Sequence, residues 1–332
     1  MNLAINGTCA KGCSFCFTKE DARVKHTLGD MSIDKVTELL DHFDMVNSDE
    51  EVTILGGEPT QHPNFTGIID YIISRGYTIN LVSNLLFGKK TLDYIINNLE
   101  HIRWMLPNGA ELDEKNRIGL FKKNYLALHT AYSNIWGFED NARLFIAITM
   151  SSDWKERELY EYIKWLYLQL DGRINAFRLG VDLTGNYLIN NKEMGQEITK
   201  ILNFAFYTDI RITSDCQVPP CLWEGETKES VNINSLGFAT FKVPGHETVC
   251  GFMPLDIFPD GSSIHCYPLQ DKVKIDNVLK VSGKNNILTL RDEFDNLYKE
   301  NHKNYTLPQD CLDCVFYKTE CNGICGGCLE NE

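Results

Sequence analysis

The run Cys9-Ala10-Lys11-Gly12-Cys13-Ser14-Phe15-Cys16 follows directly on the short apolar stretch Leu3-Ala4-Ile5. Three thiolates spaced by three residues and then by two can each bind a different iron of a cubic [4Fe–4S] cluster. The fourth iron then has no protein ligand and stays open to a substrate or cofactor. An open iron does chemistry, whereas a fully ligated cluster mostly carries electrons. A structural zinc site is the rival reading. Zinc takes four ligands, commonly as two CxxC-type pairs parted by a longer loop. Here no fourth Cys or His is close by, and His26 stands ten residues on.

Outward from this run, the first ~215 residues alternate strand-like and helix-like segments. Leu3 to Ile5 reads as a strand ending at the cysteine loop. Ser32 is a candidate N-cap, after which Ile33, Val36, Leu40 and Phe43 repeat at helical spacing. Val52 to Leu55 reads as a buried strand running into Gly56-Gly57. Phe65, Ile68, Ile69 and Ile72 mark a second helix, stopped at Gly76, and Tyr77 to Val82 a third strand. Later strands are expected at Leu144 to Thr149 and Ala176 to Val181, with helices over Glu156 to Gln169 and Glu193 to Phe206. Such alternation implies an α/β fold, with parallel strands joined by helical crossovers. Six repeats fit, fewer than the eight of a closed barrel.

The bulk properties exclude several classes. The 332 residues suffice for two domains, and 43% hydrophobic with 23% charged residues is ordinary for a globular chain. No apolar run reaches membrane-spanning length, and the N-terminus lacks the basic start and apolar core of a signal peptide. A cytoplasmic location is therefore expected, where twelve cysteines argue for metal or redox chemistry rather than disulfides. With a net charge of −14 and no long basic run, no nucleic-acid partner is expected. A mildly basic peptide would be steered favourably, although an acidic surface also serves solubility alone.

Gly56-Gly57-Glu58-Pro59 follows the second strand. Taken alone, Gly-Gly after a strand is a turn. Glycines also let the backbone approach a ligand closely, and the carbonyls and Glu58 can accept hydrogen bonds from an ammonium group. His62 reads as structural. Ser83 and Asn84 end the third strand. Arg178 and Asp182 lie on or just after the last strand, where either a ligand contact or a structural ion pair fits.

The cysteine trio, the aromatic Phe15 before its third member and Gly56-Gly57-Glu58-Pro59 together resemble the radical S-adenosylmethionine (SAM) family. The resemblance implies a partial (β/α)6 TIM-type barrel over residues 1–215, open on one side for large substrates. It implies that SAM chelates the open iron of a [4Fe–4S] cluster on Cys9, Cys13 and Cys16. An electron, from a cytosolic donor such as flavodoxin or ferredoxin, then cleaves SAM to a 5′-deoxyadenosyl radical that takes a substrate hydrogen. Phe15, Gly56, Gly57, Glu58, Pro59, Ser83, Asn84 and Arg178 become cofactor-binding candidates, and Asp182 a catalytic one.

Beyond Asp215 the character changes, and residues 216–332 hold nine of the twelve cysteines. Helical periodicity is weak there until about Leu288 to Tyr298, which reads as a small cysteine-rich module held by metal sites. Cys250, Cys266, Cys311, Cys314, Cys321, Cys325 and Cys328 resemble the SPASM extension of radical SAM enzymes, which holds two auxiliary [4Fe–4S] clusters. Pro259-Asp260-Gly261 and Cys321-Asn322-Gly323 are also family-like. The six-residue gap between Cys314 and Cys321, and the mere Gly326-Gly327 between the last two cysteines, depart from the family's spacing. The resemblance puts Cys250, Cys266 and Cys325 on one cluster and Cys311, Cys314, Cys321 and Cys328 on the other. Two fully ligated clusters need eight thiolates, so Cys221, or else Cys216, is a candidate to complete the first. Either could instead donate a hydrogen atom, as in some radical epimerases, or be a buried inert thiol. Zinc remains the rival for this module.

The resemblance implies oxidative modification of a peptide or protein, as a cross-link or dehydrogenation. Oxidation or rearrangement of a small metabolite, peptide epimerisation with a cysteine hydrogen donor, and a non-enzymatic zinc-binding module are the alternatives. Because the chain starts almost at its first strand, a leader peptide would need a separate leader-binding protein or the barrel itself.

Overall fold

The computed structural model describes residues 1–13, 16, 29–43, 51–113, 117–137, 143–150, 158–181, 192–217, 239–242, 255–264, 273–281, 287–301 and 309–313. The strands are β1 (Asn2–Ala4), β2 (Glu51–Leu55), β3 (Thr78–Ser83), β4 (Ile102–Pro107), β5 (Phe145–Met150), β6 (Ala176–Val181), β7 (Arg211–Gln217), β8 (Ala239–Lys242), β9 (Asp256–Ile257), β10 (Ser263–Ile264) and β11 (Lys274–Ile275). The helices are α1 (Ile33–His42), α2 (Phe65–Ser74), α3 (Lys89–Asn97), α4 (Arg117–Trp136), α5 (Leu159–Gln169), α6 (Lys192–Thr208), α7 (Ile287–Asn301) and α8 (Gln309–Leu312). The chain divides into two compact units, Met1–Leu144 with Met253–Asn301, and Phe145–Phe252 with His302–Glu332.

The first unit is built on a sheet of order β11-β10-β9-β1-β2-β3-β4. Strands β1 to β4 are mutually parallel, which places all their C-terminal ends along one edge. Most of their apolar side chains are buried, among them Leu3, Val52, Ile54, Ile79, Leu81, Ile102 and Met105. That burial on both faces is what parallel strands covered by crossover helices require. Ser32 caps α1 by accepting from the Lys35 amide at 3.1 Å. The buried stripe of α4 includes Phe121, Tyr125, Leu128 and Tyr132.

On the other side of β1 the sheet takes up a distant segment. β9 pairs parallel with β1, and Asn2 Nδ2 donates to Asp256 Oδ1 at 2.8 Å. Ala4, Phe258 and Ile264 pack as one apolar cluster. Pro259-Asp260-Gly261 is the turn between β9 and β10, with Gly261 at φ +83° and Asp260 Oδ1 accepting from the Ser262 amide at 2.8 Å.

The second unit holds a parallel sheet, β5-β6-β7-β8. Ile146, Ile148, Phe177, Leu179 and Ile212 are buried along it. Helices α5 and α6 meet where Phe204 stands edge-on to Tyr167, with ring centroids 5.3 Å apart.

The α/β class with mostly parallel strands agrees with the sequence reading, as do β1 to β3, β5, β6, α1, α2, α5, α6 and α7 to within a few residues. β4, β7 to β11, α3, α4 and α8 were not foreseen. Among the described residues no helix is long and apolar enough to cross a membrane.

Candidate functional site

The site grows out of the C-terminal ends of β1 to β4. The β1–β2 ladder does not stop with the strands: the Ile5 amide donates to Leu55 O at 2.9 Å, Gly57 to Asn6 O at 2.8 Å and Glu58 to Thr8 O at 2.7 Å. Asn6 Nδ2 returns a bond to Glu58 O at 2.9 Å. Pairing therefore runs to the residue before Cys9. It demands the two glycines. A Cβ on Gly56, which sits at φ +142°, would lie 2.4 Å from Asn6 O, and one on Gly57 2.4 Å from Thr8 O. The close approach that these glycines permit is thus first of all to the backbone leading into the cysteine loop.

Glu58 lies beneath the loop with 1% exposure. Its Oε1 accepts from Thr60 Oγ1 at 2.6 Å, Ser83 Oγ at 2.9 Å and the Thr60 amide at 3.2 Å, and its Oε2 from the Asn84 amide at 2.6 Å. Burial drives this carboxyl above the ordinary carboxylate range, and the donors of Asn84, Thr60 and Ser83 act against that. Glu58 so ties the end of β2 to the end of β3. Pro59 opens a short 3-10 turn, Pro59–Gln61, for which Glu58 is the cap. Beyond it, His62 Nδ1 accepts from the Asn64 amide at 3.0 Å, so Nε2 carries the proton and donates to Met31 O at 3.1 Å. His62 is structural, as its sequence context suggests.

Ser83 and Asn84 form a tight corner after β3. The Leu85 amide donates to Ser83 Oγ at 3.1 Å and the Leu86 amide to Asn84 Oδ1 at 2.8 Å. Asn84 Nδ2 reaches Cys9 Sγ at 3.7 Å. Leu85 takes a left-handed backbone (φ 55°), and its carbonyl and that of Phe87 accept from Asn124 Nδ2 on α4 at 2.8 and 2.9 Å.

The loop carries three free thiols, Cys13 buried and Cys9 and Cys16 partly so. Cys13 O accepts from the Cys16 amide at 3.2 Å, closing a turn between the second and third thiols. Burial pushes the Cys13 thiol up to about 11, with Lys11 opposing. Among the described residues no three His, Cys, Asp or Glu side chains converge as a single ion would need. A cubic cluster spreads its thiolates over three irons, wider than one ion does, and the donor set suits it. All three candidate ligands are sulfur, and Asn84 brings an N–H donor of the kind that stabilises an anionic metal ligand from outside.

Two further residues belong here that the sequence did not single out. Lys11 is 2% exposed. Its Nζ donates to Asn108 O at 2.8 Å and to Asn108 Oδ1 at 3.2 Å, just past β4. Burial lowers the Lys11 ammonium to about 8, Cys13 opposing. The clue to Asn108 was present in Leu106-Pro107-Asn108-Gly109, a turn signal after an apolar run.

Arg178 lies in the second unit, on β6, in register with Ala147 on β5 and Thr213 on β7. Cys216 falls on β7 and Cys311 on α8, and their side chains lie outside the described residues. Phe15, Asp182, Cys221, Cys250, Cys266, Cys314, Cys321, Cys325 and Cys328 lie outside the described residues altogether.

Residues 3–123 match the model of the radical SAM superfamily, a span that contains the cysteine loop, Gly56-Gly57-Glu58-Pro59 and Ser83-Asn84. Over 84 residues the chain is 26% identical to an S-adenosylmethionine-dependent nucleotide dehydratase of Selenomonas ruminantium, 25% of this chain and 29% of that relative's length. Among solved structures, Streptococcus suis SuiB bound to precursor peptide SuiA aligns over 94% of this chain and 68% of that one, with a TM-score of 0.61 and 13% identity. Native anSMEcpe with bound AdoMet aligns over 100% and 91%, with a TM-score of 0.61 and 15% identity. At these identities the likeness is one of fold. The match to the radical SAM superfamily spans residues 3–123 of the 332.

Proposed function

We propose that this chain is an enzyme that cleaves SAM reductively and uses the resulting radical to modify a peptide or protein oxidatively. The observation that carries the reading is the convergence, on one sheet edge, of three thiols, the Gly56-Gly57-Glu58-Pro59 turn and the Ser83-Asn84 corner. Cys9, Cys13 and Cys16 would hold the cluster. When bound, the cluster and SAM supply a 5′-deoxyadenosyl radical that abstracts a substrate hydrogen. The chain's own part is positional. The glycine turn holds the loop's entry, and Asn84 directs its amide at the Cys9 sulfur. Glu58 ties the Asn84 backbone to the β2 end. Phe15, Arg178 and Asp182 remain candidates for the SAM and substrate surface.

The reading includes a partial (β/α)6 barrel in residues 1–215 and a SPASM-type module in residues 216–332. In that module Cys250, Cys266, Cys311, Cys314, Cys321, Cys325, Cys328 and Cys221 would hold two auxiliary [4Fe–4S] clusters, with Cys216 as the spare thiol. A flavodoxin or ferredoxin would supply the electron. The peptide substrate is supported by the fold shared with SuiB, whose structure holds a precursor peptide. A second reading, a small metabolite such as a nucleotide, is supported by the dehydratase relative.

The test is an anaerobic reaction of the whole chain with reductant, SAM and either the peptides encoded beside its gene or a panel of nucleotides, in deuterated water, read by mass spectrometry. Loss of two hydrogens from a peptide is the expected result. One deuterium gained without oxidation would mean epimerisation, with Cys216 or Cys221 as donor, and a dehydrated nucleotide would establish the second reading. Absence of 5′-deoxyadenosine under every condition would overturn both.

A further inference from the structure

Lys11 combines a buried ammonium with a place between two of the candidate cluster cysteines. A lysine of 2% exposure is an unusual expense for a surface loop, since burying a charge is unfavourable unless it is paired and hydrogen-bonded. Here Nζ has two acceptors from one residue, Asn108 O at 2.8 Å and Asn108 Oδ1 at 3.2 Å. Asn108 is itself fixed: its amide donates to Ser83 O at 2.8 Å, and its Oδ1 also accepts from the Ala110 amide at 3.1 Å. From the start of α4, Arg117 Nη2 donates to Lys11 O at 2.6 Å. The middle of the cysteine loop is therefore pinned from the β4–α4 turn, independently of the Gly57 and Glu58 bonds that pin its entry. Cys9, Cys13, Glu111 and Arg117 all lie within electrostatic reach of the ammonium.

We propose that Lys11 is a positioning residue that latches the cysteine loop to the β4–α4 turn, and that its charge raises the reduction potential of the cluster on Cys9, Cys13 and Cys16. The proposal rests on the reading that those cysteines hold a cluster. A reduced cluster is one charge more negative than an oxidised one, so a fixed cation beside its ligands favours reduction, the more so in a buried setting. Glu111 offsets part of that charge and Arg117 adds to it, so the test isolates the lysine by replacing it alone.

The experiment is a potentiometric titration, followed by electron paramagnetic resonance, of the anaerobically reconstituted full chain. The wild type is compared with Lys11→Met, Lys11→Arg and the combined Cys9→Ala, Cys13→Ala, Cys16→Ala variant. The last identifies the signal of this cluster. The expected result is a lower midpoint potential in Lys11→Met and one near wild type in Lys11→Arg. Full iron content in Lys11→Met with a wild-type potential would overturn the proposal. Should Lys11→Met fail to hold the cluster, Lys11→Arg decides: a cluster at wild-type potential is the expected outcome, and no cluster overturns it. A wild type with no signal beyond that of the triple variant would overturn the reading of the cysteines, and this inference with it.

Discussion

Replacing Glu58 by Gln changes one atom and should nonetheless weaken the fold under the cysteine loop. The carboxylate spends both oxygens, three donors on Oε1 and the Asn84 amide on Oε2. The Thr60 and Asn84 amides are obligate donors, and Ser83 Oγ already accepts from the Leu85 amide, so its proton goes to Glu58. A glutamine oxygen can occupy only one of the two positions. With it facing Thr60 and Ser83, its NH2 opposes the Asn84 amide, now 2.6 Å away in the wild-type geometry. The loss is one hydrogen bond to a charged acceptor, about 1.5–3 kcal/mol, plus about 1–3 kcal/mol for a buried N–H left unpaired. Removing a buried charge returns part of this, for a net of about 2–4 kcal/mol. Denaturant unfolding of the iron-free chain reads it, with Glu38→Gln as the control because Glu38 is exposed and, among the described residues, pairs with Lys35 in its own helix turn. Iron per chain should fall as well, since Asn84 also reaches Cys9. Unfolding midpoints and iron content equal to wild type would refute the assignment of Glu58 as the strut beneath the loop.

Gly57→Ala puts a Cβ 2.4 Å from Thr8 O and 2.7 Å from Gly7 O, both backbone atoms, and should cost about 1–3 kcal/mol and lower iron uptake, whereas Gly119→Ala, within α4 and with nothing within 4 Å, should do neither. Asn124→Leu leaves the Leu85 and Phe87 carbonyls without their donor and should cost about 2–4 kcal/mol in the same unfolding assay; no loss would refute the role of Asn124. His62 is held below its ordinary value of 6.5 chiefly by burial, and its Nδ1 cannot be protonated without giving up the Asn64 amide. The unfolded chain thus takes up a proton that the folded chain does not, and stability should fall as pH drops below about 6.5. Unfolding at pH 7 and pH 5 should show that slope in wild type and a shallower one in His62→Gln; equal slopes would refute it.

What the sequence disclosed was what is local. The cysteine spacing, the glycine turn and β1 to β3 are each written within a few neighbouring residues, as an apolar run closed by a loop. α4 stayed hidden because its buried face also carries Asn124, His129 and Ser133, which break the apolar stripe. β9 and β10 are two residues each: β9 exists because β1 lies beside it, a pairing that joins Asn2 to Asp256, and β10 because β9 does. The latch is of the same kind: Lys11 and Asn108 are 97 positions apart, and neither residue type announces the other. Even where position was legible, the task was not. Ser83 and Asn84 read as a polar pair at a strand end, and the structure adds that they complete the shell of Glu58. Glu58 reads from its motif as an acceptor for a ligand ammonium, and the structure adds that both its carboxylate oxygens already accept from the protein.

The central claim is that Cys9, Cys13 and Cys16 hold the iron–sulfur cluster at which SAM is cleaved. The direct measurement is 5′-deoxyadenosine formed under anaerobic reduction, with iron counted in the same samples, for wild type and for the triple cysteine-to-alanine variant. Cleavage by wild type and none by the variant is the expected result; on the proposal that the C-terminal cysteines hold auxiliary clusters, the variant should keep that part of the iron. Cleavage by the variant, or none by an iron-loaded wild type, would contradict it.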